Sequence, residues 1–149
     1  MAANKTNEPN TIQGEGDAKR TRTVTFTPEA YTTFDVNDVQ NKLKVFNAHN
    51  ASASLNQIGE EPFNIVDVMA EPSTRAQSGN PCQNTYIFTD DGRVLFTQSN
   101  GIASTINEIV KVVNGDFKAN TTNGYVRAHV SVLPLTGNRT YKRLQMDAI

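Results

Sequence analysis

A chain of 149 residues is one domain by default and is long enough to bury a core of its own. Its 14 basic and 15 acidic residues leave a formal charge of −1, so bulk electrostatics announce no polyanionic partner. No apolar run approaches membrane-spanning length, and the single Cys82 excludes an internal disulfide and fits a reducing compartment.

Residues 1–21 are polar and nearly free of large apolar side chains. They cannot bury enough surface to offset the entropy of ordering, so a disordered tail is expected there, followed by one domain over 22–149. The tail has no apolar run of the kind a secretory signal needs, so the expected location is the cytoplasm. Residues 22–27 (RTVTFT) alternate and predict a short edge strand that Pro28 ends. Asp35 or Asn37 can cap a helix over 36–48, with Val36, Val39, Leu43 and Phe46 as the stripe expected to face the core. A helical turn over 51–59 ends at Gly59.

Strands are predicted at 62–70, 84–89 and 93–98, a helix at 99–113, and strands at 124–133 and 139–147. Residues 71–83, with two prolines and a glycine, read as a long flexible loop; Asp90-Asp91-Gly92 and Thr136-Gly137-Asn138 read as hairpin turns. In the helix, Ser99 or Asn100 is the expected cap, Ile102, Ile106, Ile109, Val110 and Val113 the inner stripe, and Asn114-Gly115 the stop. Three strands, a helix and two strands is the chain order of the OB-fold. The expected fold is therefore mainly β with helices: a five-stranded OB-type barrel with a helix between strands three and four, and an added N-terminal strand and helix.

Catalytic and metal chemistry are poorly supported. Cys82, His49 and His129 show no ligand spacing, and Gly14-Glu15-Gly16 does not lie between a strand and a helix. No local signature makes Cys82 a nucleophile. No enzyme activity, cofactor or metal is expected.

The strand faces give the positive case. In 124–133, Val126, Ala128, Val130 and Val132 suit a core, leaving Tyr125, Arg127, His129 and Ser131 on the other face. In 139–147, Leu144 and Met146 suit the core, and Arg139, Tyr141, Arg143 and Gln145 share the opposite face. In 84–89, Tyr86 and Phe88 alternate with Ile87. From Lys118 onward five basic residues face one acidic one, a local excess that bulk charge conceals. Rings interleaved with guanidinium groups suit single-stranded nucleic acid, where bases stack on rings and cations meet phosphates. The candidate DNA-binding residues are Tyr86, Phe88, Tyr125, Arg127, Tyr141, Arg143, Lys142 and Arg75, the last on the 71–83 loop. Each has a plainer reading: Phe88 as core, Tyr86 and Tyr141 as rim or interface residues, and the basic residues as a solvated face.

The stretch from Asn41 to Val113 carries NKLKVFNAHNASASL, PFNIVDVMAEPSTR and PCQNTYIFTDDGRVLFTQSNGIASTINEIVKVV. It resembles the small single-stranded DNA-binding proteins of tailed phages infecting Gram-positive bacteria. The most specific part is 89–113, an aspartate-glycine hairpin, a strand and a Ser-x-Gly-Ile helix start. The resemblance implies cooperative, largely sequence-independent coating of replication intermediates in the host cytoplasm. Single-stranded DNA is the implied partner, with phage replication proteins and a homo-oligomer left open and no membrane involved. The acidic C-terminal tail common in cellular single-strand binders is not matched by Gln145-Met146-Asp147-Ala148-Ile149. The alternative is a phage structural or assembly β-protein whose exposed rings are subunit contacts.

Overall fold

The computed structural model describes residues 26–149. The expected tail over 1–21 and most of the 22–27 strand fall outside them; Phe26 and Thr27 are described and are not in a strand. In chain order the elements are β1 (Tyr31–Thr32), α1 (Val39–Ala51), β2 (Ala53–Ser54), a 3₁₀ turn (Leu55–Ile58), β3 (Phe63–Thr74), β4 (Pro81–Thr89), β5 (Val94–Thr97), α2 (Asn100–Val112), β6 (Val126–Pro134) and β7 (Thr140–Ala148).

These strands form one curled, mixed sheet in the order β2-β5-β4-β3-β6-β7, with β1 paired to β3 off that path. Most pairs are antiparallel; β2 runs parallel to β5. β3 pairs with β4 along its length and with β6 through Phe63–Ile65, and a register shift between Ile65 and Asp67 lets it turn from one neighbour to the other. The result is a half-barrel.

Its concave side holds the main core. Ile65, Val68, Ile87, Leu95, Val126, Ala128, Val130 and Leu144 meet Ile102 and Ile106 of α2, Val113 that caps its end, and the following Phe117. Each of these side chains larger than alanine removes apolar area worth about 1.5–3 kcal/mol from water. Ile109, Val110 and Met146 pack against this core only partly buried, and Val132 is exposed beyond it. The Ser99 side chain accepts from the Ile102 amide at 3.2 Å, capping α2. At the other end Asn114 adopts φ 55°, the Gly115 amide donates to the Val110 carbonyl at 2.8 Å, and the Asn114 amide donates to Lys111. This paired closure stops the helix where the Asn-Gly step predicts.

Two expectations change. The 71–83 segment is not one long loop: β3 continues to Thr74 and β4 starts at Pro81, leaving 75–80 as the connection. Helix α1 starts three residues late, because Asp38, not Asp35 or Asn37, accepts from the Asn41 amide. Its stripe is also inverted. Val39, Leu43 and Phe46 are 74, 56 and 62 % exposed, and Val36 before the helix is exposed too. The side facing the sheet carries Ala48 and Val45 against Met69, Tyr86, Phe88, Val94 and Phe96. A second, aromatic-rich core thus lies on the convex side of β3, β4 and β5.

Candidate nucleic-acid interface

The convex face of the sheet has two halves, one covered by α1 and one open. The open half is the β6–β7 hairpin. Its register sets Leu133 opposite Tyr141, Ser131 opposite Arg143 and His129 opposite Gln145. Alternation therefore puts Tyr141, Arg143 and Gln145 of β7 on one face with Arg127, His129 and Ser131 of β6. Arg127 and Arg143 are exposed, and Tyr141 is 42 % exposed. Tyr125, two residues before Arg127, is half-buried.

Two side chains on this face are held by neighbours. The Arg127 guanidinium donates to Asn64 Oδ1 on β3 at 3.0 Å, and the Asn64 amide donates to Asp90 at 2.9 Å. His129 Nδ1 lies 2.8 Å from Asp147, and Ser131 Oγ lies 3.3 Å from His129 Nε2. A register shift between Arg127 and Ala128 leaves Asp147 without an opposite residue. These contacts reduce the freedom of a guanidinium and an imidazole without neutralising Arg143.

The other candidates fall elsewhere. Tyr86 and Phe88, expected on an exposed face, are 6 and 4 % exposed beneath α1, because the helix lies on the convex face of their strand. Lys142 alternates to the side opposite Arg143, where its ammonium donates to Asn56 Oδ1 at 2.6 Å. Arg75 is half-buried and donates to the Gln98 carbonyl at 2.8 Å, tying the β3–β4 connection to the segment before α2. Cys82 is buried. Among the described residues no group of three or more His, Cys, Asp or Glu is placed to hold a metal ion, and no helix is long and apolar enough to cross a membrane.

Sequence reasoning missed Asn64 and Phe96. Nothing in the sequence marks Asn64 as the partner of Arg127. Phe96 was legible: the turn over 90–92 sets Phe88 against Val94 and Tyr86 against Phe96, and those ring centroids are 5.1 Å apart.

Residues 25–131 match the model of the phage single-stranded DNA-binding protein family of the phi29 type. The chain belongs to that family. No curated protein and no solved structure matches it. Single-strand binding is thus the activity of the chain, and family membership selects it over the assembly-protein reading.

Proposed function

We propose that the chain coats single-stranded DNA without regard to sequence, as an OB-type domain in phage replication in the host cytoplasm, and that the strand lies along the open β6–β7 face. In this reading β3, β4, β5, β6 and β7 are the five strands of the OB-type barrel, α2 lies between the third and fourth, and β1 and α1 are N-terminal additions. The order β5-β4-β3-β6-β7 around a central β3 supports it. The observation that carries the site is the placement of Tyr141 and Arg143 on β7 along the same face as Arg127 on β6, all exposed in a chain whose net charge is −1.

Each residue has a role. Tyr141 and Tyr125 offer ring faces on which bases stack whatever their identity. Arg127 and Arg143 meet phosphates, Arg127 pre-set by Asn64. His129, oriented by Asp147, adds a polar contact. Arg75 and Lys142 lie off this face and reach the strand only when released from their present partners, as a phosphate competes for each. Replication proteins, or further copies of the chain, are the macromolecular partners that fit such a coat.

Titration with labelled oligonucleotides of several lengths, single-stranded and duplex, tests the reading. Preference for single strands of mixed sequence, with affinity falling as salt rises, is the expected result. Equal affinity for duplex overturns it, because stacking requires exposed base faces.

A further inference from the structure

The geometry points to a second nucleobase-binding surface beneath α1, closed in this structure and opened when single-stranded DNA displaces the helix. The inference rests on the open-face reading above and extends that face across the sheet.

The helix is mounted the wrong way round for a permanent part of the core. Of its thirteen residues only Ala48 is buried, while Val39, Leu43 and Phe46 project into solvent. A helix fixed by hydrophobic burial turns its apolar stripe inward. Besides the packing of Ala48 and Val45, two polar contacts hold α1 down. Lys44 Nζ sits 2.6 Å from Asp67 Oδ2 on β3, and 4.5 and 5.0 Å from the ring centroids of Phe34 and Phe88. His49 Nε2 lies 2.8 Å from Glu71 Oε2, and its ring meets Tyr86 edge-on at 5.6 Å. Both contacts are partly solvated, and the Lys44–Asp67 ion pair, being exposed to water, is individually weak and screened by salt.

Beneath the helix lies what a single-strand binder would otherwise display. Tyr86 pairs across strands with Phe96, and Phe88 stands two residues further along β4, about 7 Å away by strand rise. These rings belong to the same convex face as Arg127 and Arg143, with β3 between the two groups. Phe34, just before α1, lies edge-on against Phe88 at 5.4 Å, so it moves with the helix; with both lifted, one face runs from Phe96 through Tyr86 and Phe88 to the arginines, and bases have rings to stack on beside cations for their phosphates. Lifting α1 exchanges its contacts with these rings for contacts between rings and bases, so the strand shifts an existing equilibrium rather than building a new site.

The test uses the full chain and oligothymidylate as the probe, with amide hydrogen exchange read over α1 and affinity read by titration. Oligothymidylate should lower the protection of residues 39–51 while raising that of β6 and β7. The Lys44→Met variant should bind roughly threefold to tenfold more tightly, since releasing the closed state raises the competent fraction. The sign is diagnostic, because loss of a cation that merely attracts phosphate weakens binding. Unchanged or increased protection of α1 on binding overturns the proposal, as does weaker binding by Lys44→Met. Arg143→Ala separates the two readings. If it weakens binding while α1 stays protected, only the lid is wrong; if it leaves affinity unchanged, the open-face reading on which the lid rests fails first.

Discussion

The Tyr31 hydroxyl donates to Asn107 Oδ1 at 2.7 Å, and joins the strap that precedes α1 to the inner face of α2. Asn107 is itself buried and exchanges hydrogen bonds with Gln83, whose side chain also bonds Thr85 and accepts from the Glu29 amide. A buried polar group without a partner costs about 1–3 kcal/mol. Asn107→Ala strands the Tyr31 hydroxyl and removes two of the bonds of Gln83, which keeps Thr85 and the Glu29 amide, so it should cost about that much in urea unfolding, whereas Tyr31→Phe, which leaves Asn107 bonded to Gln83, should cost about 1 kcal/mol. Equal costs for the two variants would mean the three side chains do not act as one network.

The same phenol gives the fold an alkaline limit. Burial, and secondarily the charge of Glu29, push the Tyr31 hydroxyl well above the ordinary phenol value. The folded state therefore holds a proton that the unfolded chain releases from about pH 10. Stability from this group is fully present below that pH and falls as pH rises above it. Unfolding midpoints measured between about pH 9 and 11 should fall steeply in the parent and less steeply in Tyr31→Phe.

Ile106 is fully buried between α2 and the concave sheet. Ile106→Glu places an unpaired carboxyl there and should leave no cooperative thermal transition. Ile106→Val removes one methylene and should cost about 0.5–1.5 kcal/mol. A well-folded Ile106→Glu domain would require α2 to pack elsewhere.

The concave core was readable because its signals agree. The 3.6-residue stripe of α2, its Ser99 cap and Asn-Gly stop, and the two-residue alternation of Val126, Ala128 and Val130 all point to one inside. The convex side was not readable by the same rule. Periodicity shows that Val36, Val39, Leu43 and Phe46 share a stripe, but not which surface the helix meets. Here the sheet beneath is paved with Tyr86, Phe88 and Phe96, and the small Ala48 packs on that cluster with the Lys44 ammonium over Phe88 while the stripe faces out. That packing also moved Tyr86 and Phe88 from the expected open face to a covered one. The exposure of Tyr141, Arg127 and Arg143 was legible because, among the described residues, no element crosses the convex side of β6 and β7.

The turn joining β4 to β5 carries an acid-sensitive pair. Arg93 donates to both oxygens of Asp91, at 3.1 and 2.9 Å, and Thr89 adds a bond to the same carboxylate. These hold the Asp91 carboxyl at about 2, below the usual carboxylate range. The pair's contribution is present above about pH 4 and is lost as pH falls toward 2. A carboxyl chemical-shift titration should show that low midpoint, and Arg93→Gln should raise it toward the ordinary value. An ordinary midpoint in the parent would mean the pair is not formed in solution.

Single-strand affinity should divide between the two kinds of side chain on β6 and β7. Removing the Tyr141 ring removes a stacking platform, so Tyr141→Ala should cost about 1–3 kcal/mol of binding with little change in salt slope. Arg143→Ala removes a phosphate contact instead, so affinity should fall for all sequences alike and the slope should drop by up to about 0.7 on a logarithmic plot. Arg127→Ala should resemble it, and Asn64→Ala should give a weaker form of the same loss, because Asn64 only pre-sets the guanidinium at 3.0 Å. Binding isotherms at four or five salt concentrations separate these cases. An Arg127→Ala/Arg143→Ala protein that keeps the parental slope would place the phosphates on another surface, and a Tyr141→Ala protein that keeps the parental affinity would remove stacking from this hairpin.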